Sequence, residues 1–257
     1  MSLLDTLTAP HALLPLFTIG VFVLAGIVKG VVGLGLPTVA MALLALVMPP
    51  AEAAALLVVP SLATNVWQLR PWATLGPVLR RLAPMQAGVC AGTLAGAWAL
   101  GAPAGAWATV SLGLALIGYA AWSLMGARLA VPAHAERPLG VLAGAATGLV
   151  TAATGVFVIP AVPYLQALGL QRDGLIQAMG LSFTVSTLAL ALGLAMNGQY
   201  TGAVFGTSAL LLLPALAGMA LGQLLRETLP PALFKRCFLG SLVLLGTHMV
   251  VREWIVR

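Results

Sequence analysis

The chain has 257 residues, of which 61% are apolar and 7% carry charge. Soluble domains run at roughly 25% charged residues, so this composition cannot clothe a water-facing surface and excludes a soluble enzyme. A disordered chain needs low apolar content and is excluded as well. The net charge of +6 is scattered between long apolar runs. Lys and Arg placed that way anchor the loops of a protein in a lipid bilayer, and no nucleic-acid partner is expected.

In chain order, the opening residues up to Asp5 lack a basic stretch and lead into a long apolar run. A retained first helix is expected there, not a cleaved leader. Residues 6–28, 82–127, 138–171, 174–225 and 237–251 contain no Asp, Glu, Lys or Arg. A span needs about 20 apolar residues, so 82–127 and 174–225 each hold two. Breakers divide the chain into apolar segments at about 11–34, 36–48, 52–69, 83–101, 104–126, 139–155, 156–168, 174–196, 201–225 and 232–251. In lipid all must be helical, because the backbone has no water to bond. Segments 36–48 and 156–168 are too short to span comfortably and read as broken or re-entrant helices.

The two halves resemble each other. Gly26 and Gly30 match Gly144 and Gly148. Glu52 and Ser61 match Asp173 and Ser182. Gly92 and Gly96 match Gly218 and Gly222, and Gly113 matches Gly240. The offset drifts upward from 118 to 127 along this series, as short loop insertions in a duplicated chain would produce. Arg70, Arg80 and Arg81 mark one loop whose counterpart at 197–201 is uncharged. The turn at 101–104 is uncharged, while its counterpart at 226–236 carries Arg226, Lys235 and Arg236. Matching loops therefore lie on opposite sides of the bilayer, which predicts an inverted repeat. The expected division is 1–127, a cytoplasmic linker at 128–138, and 139–257, with both chain ends outside. Arg252 and Arg257 run against that last placement.

Inverted repeats are the common design of secondary transporters, with sites at interrupted helices near the midplane. The matching interruptions are Lys29-Gly30-Val-Val-Gly33-Leu-Gly35-Leu-Pro37-Thr38 and Thr147-Gly148-Leu-Val-Thr151-Ala-Ala-Thr154-Gly155, then Pro160. Glycine frees the backbone there, and Pro37 suits the first turn of a new helix. Amides at Gly33–Thr38 and Thr151–Gly155 would then face a shared anion site. The alternative is that these glycines only allow close helix packing. Lys29 sits about 18 residues into the first run and is either a fixed charge for an anion or a snorkelling end residue.

Ser61, Thr64, Asn65 and Gln68 recur at helical spacing, as do Ser182 and Ser186 with Gln177 a turn earlier. They either line a substrate route or bond neighbouring helices. Glu52 and Asp173 start helices, where a carboxylate suits the dipole. Trp67, Trp72, Trp122 and Trp254 lie near segment ends, as an interfacial belt requires. His11, His134 and His248 read as interfacial residues, and Cys90 and Cys237 as unpaired apolar ones. No Walker A, HExxH or Ser/His/Asp pattern appears. Neither catalysis nor a metal or cofactor is expected.

The run Gly26-Ile-Val-Lys29-Gly30-Val-Val-Gly33-Leu-Gly35-Leu-Pro37, with Pro49-Pro50 and Pro60-Ser-Leu-Ala-Thr64-Asn65-Val-Trp67-Gln68, resembles the TauE/SafE family of sulfite exporters and related carriers. Ala143-Gly144 through Pro160 looks like that family's second repeat. Where many members show a glycine triplet at the break, this chain has Gly33-Leu-Gly35 and Thr154-Gly155. The resemblance implies a multi-pass protein of the bacterial inner membrane that moves sulfite, sulfonates or related sulfur anions. The expected partners are therefore a small anionic substrate, the lipid bilayer, and a proton or ion that couples transport. An anion channel and a carrier of a non-sulfur carboxylate are the rival readings. The sequence does not define an oligomeric state.

Overall fold

The computed structural model describes residues 10–126, 129–228 and 231–255. Among these the chain is helical, with no strand. The first half runs α1 (Pro10–Val32), α2 (Leu36–Leu44), α3 (Pro50–Trp67), α4 (Leu75–Leu100) and α5 (Gly105–Met125). The second runs α6 (Glu136–Thr154), α7 (Ala161–Ala167), α8 (Arg172–Met196), α9 (Gly202–Leu210), α10 (Leu212–Thr228) and α11 (Pro231–Ile255). The apolar segments 36–48 and 156–168 do hold only short helices, α2 and α7. The segment 201–225 differs from expectation. It is two helices, α9 and α10, with Leu211 between them. Residue 128 of the expected linker, and residue 127 before it, lie outside the described residues. Its remainder carries a 3-10 turn at Ala133–Ala135, and Glu136 already opens α6.

Among the described residues, five stretches are long and apolar enough to cross a bilayer: Leu13–Val32, Gly105–Met125, Arg172–Met196, Gly202–Arg226 and Leu233–Ile255. Leu114, Leu213, Leu244 and Trp98 point outward from the helices. In water such a surface would be a liability, whereas in lipid it is the solvated face. Buried Phe22, Leu36, Met41, Leu57, Leu112, Phe157 and Leu165 fill the inside. The chain is an all-α integral membrane protein.

The closest packing is built on glycine. α1 lies along α10: Gly26 and Gly30 abut the backbone at Ala215 and Met219, and Gly218 and Gly222 abut Val23 and Ile27. α6 lies along α4 in the same manner, with Gly144 and Gly148 against Met85 and Val89, and Gly88 and Gly92 against Val141 and Ala145. Without a hydrophobic drive between helices in lipid, this backbone contact is what holds them. The first helix of each half thus rests on the other half, α1 on α10 and α6 on α4. Gly113 of α5 meets Gly246 of α11, while Gly240, its expected repeat partner, faces open space.

Matching helices meet head to tail. In α3 against α8, Asn65 faces Thr187 while Leu69 and Pro71 bind Gln177. In α5 against α11, Gly113 lies beside Gly246 and Val250, and Ile117 beside Gly246.

Pro60 cannot donate to the carbonyl of Leu56 one turn earlier in α3. The Ser208 hydroxyl of α9 donates to that carbonyl at 2.7 Å and accepts from the Val59 amide at 3.1 Å. Ser208→Ala strands two buried backbone groups. A loss of about 1–3 kcal/mol is expected, read as a lower unfolding temperature in detergent micelles.

One end of the bundle is basic. Arg81 pairs with Glu136 there (2.6 Å), Gln177 binds the loop after α3, and Gly30 abuts α10 near Gln223. Arg70, Arg80, Arg81, Arg137, Arg172, Arg226, Lys235 and Arg236 all belong to this end. Trp67, with Arg70 stacked on its ring at 3.9 Å, marks the boundary, as the belt predicts. At the opposite end the Ala51 amide binds Pro103 and Asn197 binds Ala97. The Arg81 fork lowers the Glu136 carboxyl below its ordinary range by direct hydrogen bonding. The gain is therefore present at neutral pH and lost on acidification through the carboxylate range. The pair is partly exposed, so Arg81→Ala should shift thermal stability only slightly at pH 7, and by less as the pH falls through and below the carboxylate range.

Candidate functional site

Lys29 lies in α1 one turn before the break and is 4% exposed. Its ammonium donates to Thr64 Oγ1 at 3.0 Å and to Asn65 Oδ1. Asn65 Nδ2 in turn faces Thr187 Oγ1 of α8 at 3.5 Å. Lys29, Thr64, Asn65 and Thr187 thus link α1 and α3 of the first half to α8 of the second. All partners are neutral. No Asp or Glu is found among the buried residues described. The cation is therefore unbalanced by the protein, in surroundings where an isolated charge costs several kcal/mol.

The break itself is formed by two glycines. Gly33 (φ 81°) and Gly35 (φ 111°) adopt left-handed backbone that other residues resist. Gly35 opens α2, and Pro37 enters its first turn without needing a donor. Gly155 (φ 69°) ends α6 in the same way.

The expected meeting of the two breaks does not occur. The Gly33 carbonyl accepts from Gln68 Nε2 at 2.8 Å, at the C-terminal end of α3. Gly155 packs on Ala54 near the N-terminal end of the same helix, and on Met41 of α2. Positions 54 and 68 are about 20 Å apart along a helix. Part of the expected amide set is occupied. Gly33 N–H bonds Lys29 O, Gly155 N–H bonds Thr151 O, and Val156 N–H bonds Thr154 Oγ1. Gly33 and Gly155 therefore lie near opposite ends of α3.

The other expected residues fall into three groups. Gln68 is engaged by Gly33, although its Oε1 is buried without a partner. Gln177 is structural. Its amide donates to Leu69 O (2.6 Å) and Pro71 O (2.8 Å) and its Oε1 accepts from Thr74 (3.0 Å), which ties α8 to the loop after α3. Thr151 and Thr154 donate to carbonyls four residues back in α6, so their hydrogens are spent. Thr38, Ser61, Ser182 and Ser186 are different: all are buried, and none of their hydroxyls has a partner. A helical Ser or Thr ordinarily bonds back to its own turn, as Thr147, Thr184 and Thr187 do. Leaving such a group unpaired costs about 1–3 kcal/mol.

Three residues were missed from the sequence. Thr187 extends the Lys29 chain across to α8. Gln86 and Thr93 on α4 are buried with no partner for either amide atom or for the hydroxyl. Their spacing of seven residues, on one helical face inside a charge-free interval, was the available signal.

Two grooves lie away from Lys29. One of about 770 Å³ is walled mainly by apolar residues such as Leu14, Leu56 and Leu211, at the end opposite the basic one. The other, of about 630 Å³, opens at the basic end between Arg80, Arg81, Glu136 and Arg137. Both cysteines are free, Cys90 half-buried and Cys237 exposed. No cluster of metal-ligating side chains occurs among the described residues.

These features define a polytopic helical membrane protein with a buried, cationic polar cluster toward its basic end. Residues 18–249 match the family model of the sulfite exporter TauE/SafE, and the chain belongs to that family of membrane transporters. Comparison with curated proteins and with solved structures returned no match.

Proposed function

We propose that the chain is a secondary transporter of a small sulfur oxyanion or organosulfonate, with Lys29 as the charge that receives it. The observation that carries this reading is the buried Lys29 ammonium with no carboxylate to balance it. An anion arriving beside Thr64 and Asn65 supplies the missing charge. Donors on Ser61 and Thr38 add hydrogen bonds without adding cost, since they are unpaired beforehand. The basic groove at Arg80, Arg81 and Arg137 would raise the local anion concentration before entry.

The two halves, 1–127 and 139–257 about the linker 128–138, act as inverted repeats in this reading. A two-fold axis along the membrane normal would bring matching helices together in parallel. The head-to-tail meetings of α3 with α8 and of α5 with α11 favour an axis in the membrane plane. Alternating access is then a rocking of one half against the other, driven by a proton or ion gradient. The basic end faces the cytoplasm of a bacterial inner membrane under the positive-inside rule.

Reconstituted protein should accumulate radiolabelled sulfite in liposomes when a pH or ion gradient is imposed, and flux should saturate. Linear, uncoupled flux would instead identify a channel, and the absence of flux for sulfite and sulfonates alike would reject the sulfur-anion assignment.

A further inference from the structure

The Lys29 centre does not account for Gln86, Thr93, Ser182 and Ser186. α4 and α8 run side by side in the same direction. A Cβ on Gly193 would sit 2.8 Å from Ala97 Cβ, and Asn197 Nδ2 donates to Ala97 O at 3.1 Å. Gln86 precedes Ala97 by eleven residues, and Ser182 precedes Gly193 by eleven. Eleven residues are about three turns, so Gln86 and Ser182 are level with each other on the two facing stripes. Thr93 and Ser186 occupy the same stripes. All four residues are at least nine-tenths buried, and none of their side-chain polar atoms is bonded.

We propose that this seam between α4 and α8 is a second, charge-free binding position for the transported anion. The inference rests on the anion reading above. Its side chains carry N–H and O–H hydrogens without a bonded acceptor, and no buried carboxylate competes for them. The three hydroxyls and the Gln86 amide N–H can all donate to the oxygens of one oxyanion. The repeat supports the assignment, since Ser182 and Ser186 are the counterparts of Ser61 and Asn65, and Thr147 is the counterpart of Lys29. The second half thus keeps the polar side chains of the first without its charge. An anion would be held tightly at Lys29 and loosely at the seam, which suits a release position.

Single cysteines at Ser61, Ser182 and Ser186, in a Cys90→Ala/Cys237→Ala background in membrane vesicles, test this. The probe is the membrane-impermeant 2-sulfonatoethyl methanethiosulfonate, and the protecting anion is unreactive methanesulfonate. S182C and S186C should be labelled, and saturating methanesulfonate should slow labelling at least about tenfold. Gln86→Leu should remove that protection at S182C and leave it intact at S61C. Failure of S182C and S186C to react, or labelling that methanesulfonate does not slow, overturns the second position. So does protection that persists in Gln86→Leu. Protection at S61C alone overturns the seam but spares the anion reading. Protection at none of the three overturns both.

Discussion

Lys29→Met is expected to lower anion transport by about 30-fold or more while leaving the protein at least as stable as the wild type. The two halves of that expectation have separate causes. Losing the charge that pairs with a desolvated anion costs about 2–5 kcal/mol of binding. Losing a buried cation removes a desolvation burden of several kcal/mol from the fold, which outweighs the Asn65 Oδ1 acceptor left without its donor. Lys29→Arg keeps the charge but presents a larger planar fork where a compact ammonium fits, so partial activity is expected. Flux in proteoliposomes and unfolding temperature, measured on the same preparations, separate the two effects. Loss of both in Lys29→Met would assign Lys29 a structural role.

Gly144→Leu should prevent the bundle from assembling. Any Cβ at Gly144 collides with the carbonyl oxygen of Met85, and neither backbone has room to retreat because Gly148 abuts Val89 and Gly92 abuts Ala145 on the same seam. Overpacking costs about 1–3 kcal/mol in ordinary cores, and here the obstruction is backbone on both sides. Gly240→Leu is the matched control. Nothing lies within 4 Å of its Cβ position, so it should change stability by no more than about 0.5 kcal/mol. Monodispersity on gel filtration and thermal unfolding distinguish the pair.

Much of the architecture was legible because lipid imposes strong rules. The charge-free intervals located nearly every helix, and the short segments at 36–48 and 156–168 were readable from length alone. Leu211 carries no Pro or Gly signal, so the division of α9 from α10 was not. Gly26, Gly30, Gly144 and Gly148 stood out in the sequence, and each supports a backbone contact. Gly240, expected to match Gly113, supports no such contact. Part of the site was readable too, since Lys29, Thr64 and Asn65 stood out as polar groups in apolar runs and prove to be bonded together. The expected meeting of the breaks failed because local sequence shows that two interruptions match without showing that Gly33 and Gly155 lie near opposite ends of α3. Gln177 looked like a lining residue, but only tertiary structure reveals that its amide is occupied by Leu69, Pro71 and Thr74.

The most direct test of Lys29 as the anion's counter-charge is calorimetric titration of methanesulfonate or sulfite into purified protein in lipid nanodiscs, wild type against Lys29→Met. Saturable binding to the wild type, and none to a folded Lys29→Met up to about 30 times the wild-type Kd, is the predicted result. Equal affinity in the two proteins would contradict it.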